Sequence, residues 1–183
     1  MSLIKIMNLL FEDVFMMLFG FLIPVGITKR FFKVTLKDLG LRIPYIDATT
    51  AFLTAAAFIF FIPMVYFLLS STNVKHFYAL TQHSTSELWI MMALSPMYYF
   101  FEEFFFRGFL FLGLWRRVKW HSFWITDIIF TLSHVGKPMP EILACIPASI
   151  VFNILTLYTK SIYPAVLVHG YIGLYCLYIS NFN

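Results

Sequence analysis

Six long apolar runs separated by short polar breaks leave this chain few ways to fold. They cover residues 9–28, 48–71, 87–114, 122–136, 141–158 and 162–180. A helix crossing the hydrocarbon core of a bilayer needs about 20 mostly apolar residues, and all but the fourth run approach that length. In lipid, each backbone N–H and C=O must find its partner within the segment, so runs of this kind are helices. Composition agrees, since 61% of the 183 residues are hydrophobic and 12% are charged. That charged share is too small to clothe a water-facing exterior. The expectation is an all-α, polytopic membrane helix bundle of about six transmembrane helices, forming one domain over residues 1–183. Aromatic residues make up 20% of the chain, which excludes a disordered one.

The net charge of +4 does not point to nucleic acid, because the basic residues sit in short loops and form no surface stripe. Lys29, Arg30, Lys33, Lys37 and Arg42 fall between the first two runs, and Arg116, Arg117 and Lys119 between the third and fourth. With both loops and Lys160 in the cytoplasm, nine basic residues lie inside against Lys5, Lys75 and Lys137 outside, and both termini are outside. The apolar residues of the first basic loop, Phe31, Phe32, Leu36, Leu39, Leu41 and Ile43, suggest an amphipathic stretch on the membrane surface. Cys145 and Cys176 lie in apolar segments and are expected to be packing thiols, not a disulfide. Glu12 and Asp13 interrupt the first run, and no small-residue cleavage site follows, so a cleaved signal peptide is not expected.

Three charges break the pattern. Glu102, Glu103 and Arg107 lie inside the third run, where an ionisable side chain costs about 2.5–3.5 kcal/mol on insertion scales. Helical geometry sorts them. Glu103 and Arg107 are four residues apart, on one face and in the order that favours pairing. Glu102 is turned about 100° away and has no local partner. A carboxylate without a cation in apolar surroundings has its ionised form disfavoured, which suits a group that must take up a proton and return it. The bland alternative is a protonated Glu102 bonded to a neighbouring helix. His134 and His169 also lie in apolar surroundings, and together with Glu102 they suggest a site. Asp127, seven residues before His134, is a secondary candidate to orient it. His76, His83 and His121 fall in predicted loops and are expected to be solvated.

These residues also carry a resemblance. Glu102-Glu103-Phe-Phe-Phe-Arg107 resembles the E-E-x-x-x-R motif of the CAAX protease and bacteriocin-processing family, the CPBP or Abi membrane proteins. Phe130-Thr-Leu-Ser-His134 is similar to its F-x-x-x-H motif, and Ser161 to His169 to the approach to its H-x-x-x-N or H-x-x-x-D motif. The likeness covers a motif-bearing core of about residues 87–180. It implies a glutamate-dependent intramembrane endopeptidase that works without a cofactor. Glu102 would be the general base, His134 would help hold the water, and His169 would stabilise the oxyanion. Glu103 and Arg107 would be the supporting pair. The implied partners are the lipid bilayer and a peptide or protein substrate with a membrane-embedded or C-terminal segment. The location is a multi-pass position in a prokaryotic plasma membrane. In the orientation above, His134 lies near the outer end of its segment, so membrane-anchored or exported substrates are favoured over cytoplasmic prenylated ones.

One position departs from that family. Gly173, four residues after His169, stands where the family has Asn or Asp, and an oxyanion donor is worth about 10²–10³ in rate. Asn153, Tyr171 and Tyr175 are the candidate replacements. Gly173 also keeps open a non-catalytic binding or immunity protein of the same fold. The set Glu, His, His keeps open a zinc-dependent peptidase, although no His-Glu-x-x-His motif is present.

Overall fold

The structure is a computed structural model that describes residues 10–32, 34–79 and 84–182. Lys5, Lys33 and His83, and the side chain of Lys75, lie outside it. Each of the six apolar runs is a helix. In chain order the helices are α1 (Leu10–Phe32), α2 (Ala48–Ser70), α3 (Thr72–Ala79), α4 (85–118), α5 (His121–Ser133), α6 (Met139–Thr159) and α7 (Tyr163–Phe182). No strand occurs among the described residues. α1, α2 and α6 are long and apolar enough to cross a membrane by length and composition. α4 is the longest helix and carries the three charges that interrupted its apolar run.

Local chemistry accounts for the boundaries. Asp47 caps α2 by accepting from the Thr50 amide at 2.7 Å. Ser84 and Glu87 form a reciprocal capping box at the start of α4. From Phe104 to Leu112 the hydrogen bonding of α4 widens to the π type, a departure that is frequent at functional sites. The turn between α5 and α6 has Gly136 at φ 103°, followed by Pro138 and by Pro140 in the first turn of α6.

Small residues let the helices meet closely. Ala57, Phe61, Ala148, Phe152, Leu155, Ala165 and Val168 bring α2, α6 and α7 together in one buried cluster. The outer faces are apolar and exposed, with Phe52, Ile59, Tyr66 and Phe67 along α2 and Leu167 on α7 directed away from the core. In water such a surface would be untenable, but facing lipid tails it is ordinary. Both cysteines are free.

Two local expectations are corrected. Residues 28–47 are not a single amphipathic stretch, because α1 runs on to Phe32 and Leu36–Leu39 form one 3₁₀ turn. Gly40, at φ 81°, folds that turn back so that Leu39 is buried against Phe104 and Ile162 as a plug at the end of the bundle. Phe31 and Ile43 remain exposed. His76 and His121 are exposed, as anticipated, but they lie on α3 and at the start of α5 instead of in loops. The basic loops do meet at one end. Arg42 Nε donates to the Lys160 carbonyl at 2.9 Å, and Arg116 pairs with Asp38 at 2.8 Å.

Candidate active site

α4 divides its two glutamates between two environments. Glu103 and Arg107 are fully buried one turn apart, with Arg107 Nε 3.0 Å from Glu103 Oε2. Arg107 Nη1 also donates to Ser149 Oγ at 3.1 Å and to Asn153 Oδ1 at 3.2 Å on α6. Its guanidinium lies 4.5 Å from the ring centre of Phe130 and 5.3 Å from that of Phe152, distances at which ring faces attract a cation. Asp127, buried on α5, lies within the electrostatic reach of Ser149 and Arg107. It is thus placed beside the Arg107 cluster, while the hydrogen bonds described for His134 Nδ1 go to Phe130 and Ser133. The ion pair thus ties α4 to α5 and α6 and lies behind the wall of the cavity.

Glu102 is part of that wall. It lines a cavity of about 950 Å³ together with His134 and His169, a size that suits a substrate segment rather than a single water. His169, on α7, has Nδ1 2.7 Å from Glu103 Oε1 and 3.9 Å from Glu102 Oε2. The Nδ1–H donates to the Glu103 carboxylate, which leaves Nε2 for a substrate. The His169 ring is wedged among Tyr99, Phe152 and Phe130, with ring centres 4.8, 5.2 and 6.1 Å away. His134 ends α5, with Nδ1 2.9 Å from the Phe130 carbonyl oxygen. A carbonyl oxygen can only accept, so Nδ1 carries the proton, and Nε2 is the ring nitrogen left for another partner.

The candidate donors behave differently. Asn153 is fully buried, but its Oδ1 is engaged by Arg107 and it is not on the cavity wall. Tyr171 and Tyr175 are not on that wall either. They stack on each other with ring centres 6.1 Å apart and are exposed. The reason is helical. They follow His169 by two and six residues, rotations of about 200° and 240°, whereas Gly173 follows it by four and returns to the same face.

Tyr99 was missed by the sequence reading, although it precedes Glu102 by three residues and so shares its face. It lines the cavity and packs against α7 where Gly170 and Gly173 lack side chains. The cavity is also bordered by Glu12 and Asp13 of α1 and by Lys137 and Glu141, the latter two paired at 2.9 Å. These lie at the end of the bundle opposite the Arg42 and Arg116 contacts. Among the described residues no three His, Cys, Asp or Glu side chains are grouped so that they could hold a metal ion.

Comparison with known proteins bears on this arrangement. A family model described as Type II CAAX prenyl endopeptidase Rce1-like matches residues 82–175, which takes in Glu102, Glu103, Arg107, His134 and His169. No curated protein and no solved structure matches the chain. The matched stretch is 94 of 183 residues and covers the whole site from the start of α4 to beyond Gly173. The chain is an integral membrane protein of the Rce1-like type II CAAX prenyl endopeptidase family, a family of membrane proteases.

Proposed function

We propose that this protein is an intramembrane endopeptidase in which Glu102 activates water against a peptide bond. The observation that carries the reading is the division of labour on α4. Glu103 and Arg107 satisfy each other behind the wall, while Glu102 borders a cavity shared with both histidines. In this reading the water lies between Glu102 and Nε2 of His134. Glu102 takes one proton as the water oxygen adds to the scissile carbonyl. His169, held by Glu103 and present as the imidazolium, donates from Nε2 to the oxygen that gains negative charge. Collapse of the tetrahedral species breaks the C–N bond, and Glu102 passes its proton to the leaving amine. No covalent intermediate and no cofactor are required.

The substrate in this proposal is a membrane-anchored or exported peptide or protein. The cavity extends to Lys137 and Glu141, in the connection between α5 and α6 that lies away from the basic loops, and loops of that kind favour the cytoplasm. The apolar walls contributed by Phe15 and Phe19 of α1 and Leu68 of α2 suit a hydrophobic segment. The host is proposed to be a prokaryotic plasma membrane.

The test is quantitative mass spectrometry of membrane and secreted proteins from cells carrying the wild-type gene, no gene, or Glu102→Ala. Cleavage products that require both the gene and Glu102 support the reading. Identical product sets in all three strains leave a non-catalytic binding protein. Chelation with metal analysis of the purified protein adds a second arm. Cleavage lost on chelation and restored by zinc would move the assignment to a metallopeptidase.

A further inference from the structure

The oxyanion in the proposed reaction has one donor from His169, and Gly173 supplies no side chain one turn further along α7. The space beside Gly173 is filled from α4. A Cβ built on Gly173 would overlap the Tyr99 hydroxyl and would stand 2.9 Å from the ring carbon Cε2, and one on Gly170 would touch Cδ2 at 3.7 Å. Two glycines three residues apart on one face of α7 thus form a flat seat for the Tyr99 ring. The hydroxyl ends where the first atom of a side chain at 173 would begin. The same ring packs 4.8 Å from that of His169, measured between centres, and Tyr99 lines the cavity with Glu102.

We infer that Tyr99 is a catalytic residue whose phenol O–H donates to the oxyanion beside His169, in the place that a side chain at position 173 would otherwise occupy. This rests on the endopeptidase reading and deepens it. The general base and the second donor come from one face of α4, and Gly173 is the vacancy in α7 that admits the donor. A phenol is a strong neutral donor, and its rigid ring, seated on α7, needs little ordering when charge develops.

The experiment compares wild type, Glu102→Gln, Tyr99→Phe, Gly173→Asn and Tyr99→Ala/Gly173→Asn. Each is scored for Glu102-dependent cleavage products in cells and for thermal melting in detergent. Tyr99→Phe keeps the ring and its seat, so its melting should match wild type while cleavage falls by about 10²–10³. Cleavage within threefold of wild type overturns the inference. Gly173→Asn should melt lower than wild type, and Tyr99→Ala/Gly173→Asn should melt higher than Gly173→Asn. Wild-type melting of Gly173→Asn overturns the seat.

If wild type yields no Glu102-dependent product, the endopeptidase reading falls and the donor role with it. If wild type cleaves, Glu102→Gln does not, and Tyr99→Phe does, only this inference falls. Should Tyr99→Phe fail to fold, 4-aminophenylalanine and 4-fluorophenylalanine at position 99 both fill the place of the hydroxyl, the first with a donor and the second without. The first should cleave at least about tenfold faster than the second, and equal rates overturn the donor role.

Discussion

Replacing Arg107 with methionine removes the cation facing a fully buried carboxylate and leaves the side-chain volume roughly filled. Three hydrogen bonds are lost together, from Nε to Glu103 and from Nη1 to Ser149 and Asn153. Glu103 keeps its donor from His169, so its carboxylate is not left bare. Breaking a buried pair from one side costs about 3–5 kcal/mol. The two neutral acceptors share the same guanidinium, and their losses do not add in full. Taking about 3 kcal/mol as the lower end, the unfolding constant rises more than a hundredfold. The assay is equilibrium unfolding in mixed micelles with increasing sodium dodecyl sulfate, followed by circular dichroism. Glu103→Gln/Arg107→Met neutralises both partners while the amide still accepts from His169. It should lose less than Arg107→Met alone. A cost below about 1 kcal/mol for Arg107→Met, or a double variant as unstable as the sum of the singles, would refute the buried-pair account.

The plug at the basic end gives two more tests. A Cβ on Gly108 would stand 2.6 Å from the Leu39 carbonyl oxygen, so Gly108→Ala should destabilise the protein by about 1–3 kcal/mol through overpacking, measured by the same unfolding assay. Asp38 lies in the 3₁₀ turn outside the spanning helices, where hydrogen bonds from Thr35, and secondarily the Arg116 guanidinium, hold its carboxyl below the usual carboxylate range. A carboxyl with a lowered folded value contributes stability above its unfolded value of about 3.9, and that contribution is lost as pH falls through the folded value. Asp38→Asn should therefore be less stable than wild type at pH 7, by about 1 kcal/mol or less given its exposure. The gap should close on acidification below pH 3.9, and one that widened would contradict the assignment.

What the chain discloses before folding depends on the range of the interaction. The 100° step between Glu102 and Glu103 separates them wherever α4 packs, so the pairing of Glu103 with Arg107 follows from the helix alone. The six apolar runs likewise appear as helices because lipid leaves their backbones no other partner. Ser149 and Asn153 reach Arg107 across 42 and 46 residues, a meeting fixed by how α4, α5 and α6 pack. The bond from His169 to Glu103 spans 66 residues and is equally silent in the sequence. Residues 28–47 have the composition of a surface stretch, yet the left-handed turn at Gly40 sends Leu39 into the bundle. Tyr171 and Tyr175 are near His169 in the chain, but helical rotation from His169 turns both away from the cavity. Tyr99 shares a face with Glu102, and only the packing of α4 on α7 reveals that it fills the space beside Gly173.

The central claim is that two adjacent glutamates have different tasks, and Glu102→Gln tests it most directly. Glu102 borders the cavity and takes no part in the Arg107 pair. The purified variant should therefore melt with wild type while losing cleavage of the substrates identified by mass spectrometry. Glutamine cannot accept the proton of the attacking water. Wild-type turnover in a folded Glu102→Gln protein would contradict the account.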